Sequence, residues 1–412
     1  MKFVRQIIIL SFIFLIASCN SKPPAAQNSN GENAVQLPPV ETEKANSDYK
    51  PAFEGQTRIA GIKTKTAYRV DKLGENLNHP WAVIPLPDGR LLITEKAGKM
   101  QIYDETGSRI KTIEGFPAVD DRGQGGLLDV ALDPDFEDDQ MIYWSFSEKQ
   151  PDGKNLLTVA KGKLNETAGK IENPAVIFRA EPAMESTLHF GSRLVFDKDG
   201  NLFVSTGERS IIEGRVQAQD LKSALGKIFK ITKNGEAAPG NPFIDREDVV
   251  PQIYSFGHRN VQSLDIHPET GDLWEAEFGP RGGDELNIIE KGKDYGWPTI
   301  TYGIEYSGEP IGKQVIQQKN GMEQPVYYWD PVISPSGMAF YAGNEIPEWE
   351  NNLFIGCLSG QHIDRILIEN NKVIGEERLL ESENQRFRDV AYHNGMLYAV
   401  TDQGRLYRIK KK

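Results

Sequence analysis

The feature that most constrains this chain is a pair of short β-rich runs that occurs six times. Each pair consists of two apolar runs with a turn between them, and helical periodicity is scarce elsewhere. The pairs occupy residues 81–95, 127–146, 193–206, 261–277, 337–356 and 389–401. Six units of one kind predict an all-β fold, a six-bladed β-propeller of four-stranded antiparallel blades. Each pair would supply the two inner strands of a blade.

A β-sandwich or two small β-domains would also contain such strands. No linker divides residues 56–412, however, so we predict that they form one closed ring. The chain has two cysteines, Cys19 and Cys357. If Cys19 carries a lipid anchor, no disulfide can form within the chain. The net charge of −12 argues against nucleic acid as a partner.

The first 18 residues predict a lipoprotein signal peptide. Lys2 and Arg5 precede an apolar run, and Ala17 and Ser18 precede Cys19, which would become the lipidated amino terminus. This pattern predicts an extracytoplasmic protein held to a bacterial membrane by the lipid alone. The residue after Cys19 is Asn20, whereas an aspartate at that position is associated with inner-membrane retention. This favours the outer membrane or the cell surface.

Residues 19–55 have a different composition from the rest of the chain. They are rich in Pro, Ala, Asn, Ser and Glu and contain few large apolar side chains. Such a segment buries too little apolar surface to offset its chain entropy. We therefore predict a disordered tether between the lipid and the propeller.

Polar residues recur at two positions of the repeat. In a propeller, the residues before the innermost strand and those after the second strand lie on the same face, so they should converge on one mouth of the central channel. The segments before the first strands are 78–80, 123–126, 189–191, 258–260, 334–336 and 386–388, and those after the second strands are 95–96, 207–209, 279–285 and 402–403. The mouth is therefore predicted to be polar, rich in glycine and cationic.

Three arginines lie in the segments predicted to form the mouth, and together they suit an anionic ligand. Arg386 and Arg388 are two residues apart on one strand and should point to the same side, and Arg259 adds a third forked donor. The alternative is that each arginine pairs with a local carboxylate such as Asp389.

Two further features of the mouth carry chemistry. His189 precedes a strand, and a neutral imidazole there could accept a hydroxyl proton, but its position alone does not make it a catalytic residue. His79 and His258 are at similar positions, where each could simply order a loop. The 279–285 loop combines glycine carbonyls with Asp284 and Glu285, which are the oxygen ligands that calcium prefers. Acidic, glycine-rich loops are more often simple turns.

Taken together, the motifs resemble the soluble PQQ-dependent glucose and aldose-sugar dehydrogenases over roughly residues 70–412. The motifs are Gly123-Gln-Gly-Gly-Leu127, Leu188-His-Phe-Gly-Ser-Arg193, Gly257-His-Arg-Asn260, Gly279-Pro280 with Asp284-Glu-Leu-Asn287, Asp294-Tyr-Gly-Trp-Pro298 and Arg386-Phe-Arg-Asp389. Their order and separations match that family, whose fold is a six-bladed propeller.

The resemblance implies a role for each of these residues. His189 would be the base that removes the proton of the sugar C1 hydroxyl, with Glu208 orienting it. The residues implied to contact PQQ are Gln124, Arg259, Asn260, Arg386 and Arg388. The carbonyls of Gly279 and Pro280 would bind the calcium ion next to PQQ, and Glu285 and Tyr295 would bind a second one.

The chain departs from the family at two positions. Ser359 stands where the family usually has a lysine that reaches PQQ, so one cationic contact is replaced by a hydroxyl. Leu188 stands where the glucose-type members carry an acid, which resembles the broader aldose-sugar branch.

The implied function is the oxidation of aldose sugars at C1 to lactones, with PQQ and calcium as cofactors and an unidentified external electron acceptor. Two alternatives stay open at this stage. One is a non-catalytic propeller that binds a glycan or a protein partner at the same mouth. The other is a calcium-dependent lactonase-type hydrolase, which would need a ring of Asp, Glu and Asn side chains around an axial metal.

Overall fold

The computed structural model describes residues 37–312 and 316–412 and confirms the predicted six-bladed β-propeller. Blade 1 consists of β4 (Pro80–Pro85), β5 (Leu91–Glu95), β6 (Lys99–Tyr103) and β7 (Arg109–Ile113). Blade 2 consists of β8 (Leu127–Leu132), β9 (Met141–Lys149), β10 (Asn155–Asn165) and β11 (Lys170–Arg179). Blade 3 consists of β12 (Gly191–Phe196), β13 (Leu202–Thr206), β14 (Lys227–Ile231) and β15 (Ile253–Phe256).

Blades 4 and 5 continue this pattern, and blade 6 takes its outer strand from the amino-terminal side. Blade 4 consists of β16 (Val261–Ile266), β17 (Leu273–Glu277), β18 (Asp284–Ile289) and β19 (Tyr327–Trp329). Blade 5 consists of β20 (Pro335–Phe340), β21 (Leu353–Cys357), β22 (Ile363–Glu369) and β23 (Lys372–Leu379). Blade 6 consists of β24 (Phe387–His393), β25 (Met396–Thr401), β26 (Leu406–Lys411) and β3 (Tyr68–Gly74). Each predicted pair of runs supplies the two inner strands of its blade.

The turns between the inner strands contain the residues that the pattern requires. In blade 3, Asp197 Oδ1 accepts the backbone N–H groups of Asp199 and Asn201 at 2.9 and 2.8 Å, and Gly200 adopts a φ of 77° that favours glycine. These local bonds reverse the chain within a few residues, so the two apolar runs pair in register.

Ring closure depends on the two ends of the folded region. β26 pairs antiparallel with β3, with Ile409 opposite Val70. The first strands of successive blades contact one another, and β24 of blade 6 contacts β4 of blade 1. Closure of this kind joins both ends of the folded region within one blade, and it brings the last blade against the first.

The predicted tether is wrong for residues 37–55. Residues 37–66, here called the amino-terminal arm, contain β1 (Leu37–Pro39) and β2 (Ala60–Gly61), and they extend the sheet of blade 5. Glu41 pairs with Arg378 at 2.7 Å. Composition indicated disorder because the arm has few large apolar side chains, but polar contacts with specific blade residues hold it. The predicted signal peptide, Cys19 and residues 20–36 lie outside the described residues.

Among the residues that the structure describes, helical structure is limited to single turns. They are α1 (Phe136–Asp139), α2 (Ile212–Arg215) and the 3₁₀ turns Val216–Gln219, Pro347–Trp349 and Glu381–Glu383. Within the described ranges no helix has the length and apolar character needed to cross a membrane.

A charged network lies around the axis on the innermost strands. Asp129, Asp265 and Asp389, on blades 2, 4 and 6, each accept a backbone N–H from the first strand of the following blade, at 2.8 to 2.9 Å. Arg193 lies beside two of them, with its Nη1 atom 3.3 Å from Asp129 and 2.9 Å from Asp389. Because these bonds join different blades, the network fixes the inner strands against one another.

Candidate active site

A cavity of about 760 Å³ opens at the mouth of the central channel. The residues that line it come from all six blades and include His79, Lys96, Gln124, His189, Arg259, Gly279, Pro280, Ser334, Arg386, Arg388 and Asp402. All of them except Arg388, the second residue of β24, lie within three residues before a first strand or after a second strand. The predicted convergence of these two positions on one mouth is therefore confirmed.

His189 lies in the wall of this cavity, 5 % exposed. Its Nδ1 atom is 2.6 Å from Glu208 Oε1, which also accepts the backbone N–H of Ser210 at 3.0 Å. The residue has a φ of 48°, a left-handed conformation that is uncommon outside glycine and concentrates at functional sites. With Nδ1 held by Glu208, Nε2 is the ring atom left for a ligand, which is the arrangement of an oriented base.

The pKa of His189 is lowered to about 4. Burial is the main cause, the nearby Arg259 charge adds to it, and Glu208 opposes both. Since the imidazole is protonated only below its pKa, we expect it to be neutral at pH 5 to 8. A ¹³C-edited NMR titration of the protein without ligands should show the His189 ring signals changing well below pH 6, whereas a midpoint near 6.5 would contradict this environment.

Arg386 and Arg388 lie side by side in the cavity wall and share one carboxylate. Arg386 Nε is 2.9 Å from Asp402 Oδ2, and Arg388 Nε is 2.8 Å from Asp402 Oδ1. Asp389, the partner considered from the sequence, pairs instead with Arg193. Two guanidinium groups against a single carboxylate leave net positive charge at this wall.

The cavity as a whole is cationic, in a chain whose net charge is −12. Five cationic side chains line it, namely Lys96, Arg259, Arg281, Arg386 and Arg388, against the carboxyl groups of Asp284 and Asp402. Burial raises the pKa of Asp284 to about 7, which reduces its negative charge at neutral pH. Such a field favours an anionic ligand.

Arg259 connects the cavity to the predicted calcium loop. Its Nη1 atom donates to the carbonyl oxygens of Phe278 and Gly279 at 3.0 and 2.6 Å, and its Nε is buried without a partner among the described residues. Gly279 and Pro280 both line the cavity. The loop is held by Asp284, which accepts the backbone N–H groups of Gly279, Ile333 and Ser334 at 2.7 to 2.9 Å.

The other predicted cofactor contacts differ in position. Gln124 lines the cavity, and its Oε1 accepts the backbone N–H of His189 at 2.8 Å, which leaves its amide N–H groups for a ligand. Asn260 is fully buried behind the wall, where its Oδ1 accepts the Gly191 N–H. Ser359 lies at the rim, 2.8 Å from Ser334 Oγ. Neither Asn260 nor Ser359 is among the lining residues.

Glu285 and Tyr295 do not reach the mouth but share a second, smaller cavity of about 10 Å³ behind Gly279. The Tyr295 hydroxyl is occupied, since it donates to the Ile288 carbonyl and accepts the Glu290 N–H. Burial raises the pKa of Glu285 well above its usual range, and the charge of Glu277 adds to this effect. A space of this size accommodates one ion or water molecule.

Lys96, Asp284 and Asp402 lie in segments that the repeat predicted at the mouth. The lining residues outside those segments are Asn46, Trp81, Gln262, Phe278, Tyr306, Pro331, Val332 and Leu358. Trp81 lies on an innermost strand, where the sequence pattern predicts a core residue. The centroid of its ring lies 6.0 Å from the Arg388 guanidinium.

A closed ring of six blades, with an oriented histidine and a cationic pocket on its axis, defines a propeller enzyme that acts on a ligand held at the channel mouth. The profile of the glucose/sorbosone dehydrogenase family matches residues 77–408, and the chain belongs to that family. It is therefore an oxidoreductase of the sugar dehydrogenase class.

Individual relatives agree with this assignment. An aldose sugar dehydrogenase of Escherichia coli is 40% identical over 347 residues, covering 83% of this chain and 93% of the relative. The crystal structure of the soluble E. coli aldose sugar dehydrogenase in its apo form superposes with a TM-score of 0.80 at 40% identity, over 84% of this chain and all of that one. The PQQ-bound aldose sugar dehydrogenase of Streptomyces coelicolor superposes with a TM-score of 0.70 at 29% identity, over 85% and 100%.

Proposed function

We propose that this protein oxidises aldose sugars at C1 to lactones, with PQQ and calcium bound at the channel mouth. The observation that carries the proposal is the presence, in one cavity, of a carboxylate-backed imidazole and a set of arginines. The PQQ-bound relative from Streptomyces coelicolor supports the cofactor.

The cavity fits the chemistry of PQQ. PQQ carries three carboxylates, and five cationic side chains line the pocket. The buried Arg259 Nε without a partner is a donor that an anion would satisfy. The residues that would hold the cofactor are Gln124, Arg259, Arg386 and Arg388, while Asn260 supports the wall from behind.

Replacing Arg388 with alanine is expected to weaken PQQ binding about ten- to a hundredfold, because a charge-assisted hydrogen bond is worth roughly 1.5–3 kcal/mol. The measurement is a fluorescence titration of the protein with PQQ in the presence of calcium. Arg408→Ala is the matched control, since Arg408 belongs to the same blade but pairs with Asp71, away from the mouth. Equal affinities for the two variants would remove Arg388 from the cofactor site.

We assign one calcium ion to the carbonyl oxygens of Gly279 and Pro280. The Gly279 carbonyl already accepts from Arg259, but a carbonyl oxygen has two lone pairs, so it can serve both. A second ion would lie in the small cavity with Glu285 and Tyr295. A cation there would offset the buried charge of Glu285.

The chain's own residues supply the acid–base part of the reaction. His189 Nε2 would take the proton of the C1 hydroxyl while hydride leaves C1. Glu208, at 2.6 Å from Nδ1, would stabilise the imidazolium that forms. Bound in the pocket, PQQ supplies the two-electron acceptor for that hydride. The electrons then pass to an external acceptor.

The test is turnover by the protein loaded with PQQ and calcium. Aldoses should reduce an artificial electron-acceptor dye, chelation of calcium should stop the reaction, and the product should be the lactone. Protein that binds PQQ but reduces no dye with any aldose would refute the oxidation step.

We also propose that Cys19 is lipidated and holds the protein to a membrane on the extracytoplasmic side. The support is the leader sequence alone. In cells fed an alkyne analogue of palmitate, the full chain should become labelled and Cys19→Ser should not. Equal labelling of both would contradict lipidation at this cysteine.

A further inference from the structure

One buried side chain, that of Arg209, contacts the residues on both sides of His189 and takes no part in the proposed proton transfer. Arg209 is 1% exposed. Its Nε donates to the Leu188 carbonyl at 3.0 Å, and its Nη2 donates to the Ser186 carbonyl at 2.6 Å. Beyond the histidine, the Phe190 ring packs on the guanidinium, with 3.9 Å between Cζ and the ring centroid. The segment before His189 and the residue after it are therefore held by the same group.

The remaining bonds of Arg209 join this segment to the start of β10. Nη1 and Nη2 donate to the backbone and side-chain oxygens of Asn155 at 3.0 and 2.6 Å. Asn155 is itself fixed by Asp120, whose Oδ2 accepts from its Nδ2 at 3.0 Å. All the acceptors of the guanidinium are uncharged oxygens, so four of its five N–H groups hold the loop and none of these four binds a carboxylate.

The backbone around Arg209 directs two consecutive side chains onto one histidine. Arg209 and Ser210 have φ values of 72° and 60°, a left-handed conformation that is strained for residues other than glycine and concentrates at functional sites. The Glu208 side chain bonds the His189 ring at Nδ1, and the backbone N–H of Arg209 donates to the His189 carbonyl at 3.3 Å. Glu208 therefore fixes the imidazole ring, and Arg209 fixes the backbone that carries it.

The charge of Arg209 also acts on the imidazole. Burial is the main cause of the low pKa of His189 and Arg259 is the next, and Arg209 contributes in the same direction, against the effect of Glu208. Burial lowers the pKa of Arg209 itself to about 10, so its guanidinium stays charged at neutral pH. Loss of this charge should therefore raise the pKa of His189.

We infer that Arg209 is a positioning residue for the base, because it fixes the 186–188 segment and the Phe190 ring and thereby sets how the His189 imidazole faces the cavity. This inference rests on the proposed function, in which His189 takes the proton of the C1 hydroxyl. Arg209 does not line the cavity, so it acts through His189 and not through contact with PQQ or the sugar.

Arg209→Met should lower kcat for aldose oxidation about ten- to a hundredfold, because a displacement of about 1 Å at a catalytic group has an effect of this order. Arg209→Lys should also lower kcat, since one ammonium group cannot reproduce the forked contacts with Leu188, Ser186 and Asn155. The PQQ affinity of both variants should stay within about twofold of that of the unmodified protein, because the arginines of the cofactor site are unchanged. Steady-state dye reduction and a PQQ titration measure these two quantities.

Arg365→Met is the matched control. Arg365 is also a buried arginine, 3% exposed, but it lies in blade 5, pairs with Glu377 at 2.8 Å and does not line the cavity. This variant measures what the loss of a buried guanidinium does to kcat through the fold alone. Its kcat should stay near that of the unmodified protein, and a loss as large as that of Arg209→Met would overturn the positioning role.

A second measurement does not require turnover. In a ¹³C-edited NMR titration of the protein without ligands, the His189 ring signals of Arg209→Met should change at a higher pH than those of the unmodified protein. The signals of Arg209→Lys should move less, because the charge is kept. An unchanged titration in Arg209→Met, or an unchanged kcat, would overturn the inference.

Asn155→Ala tests the same contact if Arg209→Met does not fold. It leaves Arg209 in place and removes the side-chain oxygen that accepts at 2.6 Å, so kcat should fall about three- to tenfold. Full kcat in this variant would contradict the positioning role. Absence of turnover in the unmodified protein would instead refute the proposed function, while the NMR titration would still decide whether Arg209 acts on His189.

Discussion

Replacing His189 with alanine should lower kcat for aldose oxidation about 10²- to 10⁴-fold, while PQQ affinity changes little. The imidazole is the only base oriented in the cavity by a buried carboxylate among the described residues, and general-base catalysis contributes an effect of this size. Steady-state dye reduction at saturating PQQ, calcium and aldose measures it.

His393→Ala is the control for this substitution. His393 lies at the turn between β24 and β25 and does not line the cavity, so kcat should stay near that of the unmodified protein. Full activity of the His189 variant would show that another group takes the proton, and the assignment of the base would have to be abandoned.

The second large effect is on stability. Arg193→Met should destabilise the protein by about 3–5 kcal/mol, because it leaves two buried carboxylates, Asp129 and Asp389, without their shared cation. Arg193 also lies over the Trp81 ring at 4.3 Å and donates to the Gln262 carbonyl at 2.7 Å. Equilibrium unfolding in guanidinium chloride would measure the change in the free energy of unfolding.

Arg408→Met tests whether loss of an arginine alone explains such a result. Arg408 pairs with Asp71 at the outer edge of blade 6, where an ion pair is worth about 0–1 kcal/mol. Similar losses in the two variants would show that the axial network does not hold the blades together.

The repeat predicted the blades because its physical signal is local. Paired apolar runs with turn residues between them specify a hairpin wherever they occur, and six hairpins of one kind leave few ways to close a sheet. The outer strands were less visible. β3 belongs to the last blade although it precedes the first, and only its pairing with β26 shows this.

The site residues that the sequence predicted are those at the two positions of the repeat that face the channel mouth. Arg386, Arg388, Gln124 and His189 lie at those positions. Asn260 lies at the same position of the repeat, but its side chain is oriented behind the wall, where its Oδ1 accepts the Gly191 N–H. Tertiary contacts determine this orientation.

The arm was not predictable from composition. Its order depends on a few polar contacts, such as Asn46 with Asp330, between residues 284 positions apart in the chain. Composition reports how much apolar surface a segment can bury, and it carries no information on hydrogen bonds of this kind.

The most direct test of the central claim is a titration of the protein, prepared without cofactor, with PQQ in the presence and absence of calcium. We expect saturable binding that quenches tryptophan fluorescence, because Trp81 lines the pocket and Trp297 lies beside Arg259. Binding should be weaker without calcium and weaker in the Arg386→Ala, Arg388→Ala double variant. Absence of any saturable PQQ binding, or binding that the double variant retains in full, would contradict this claim.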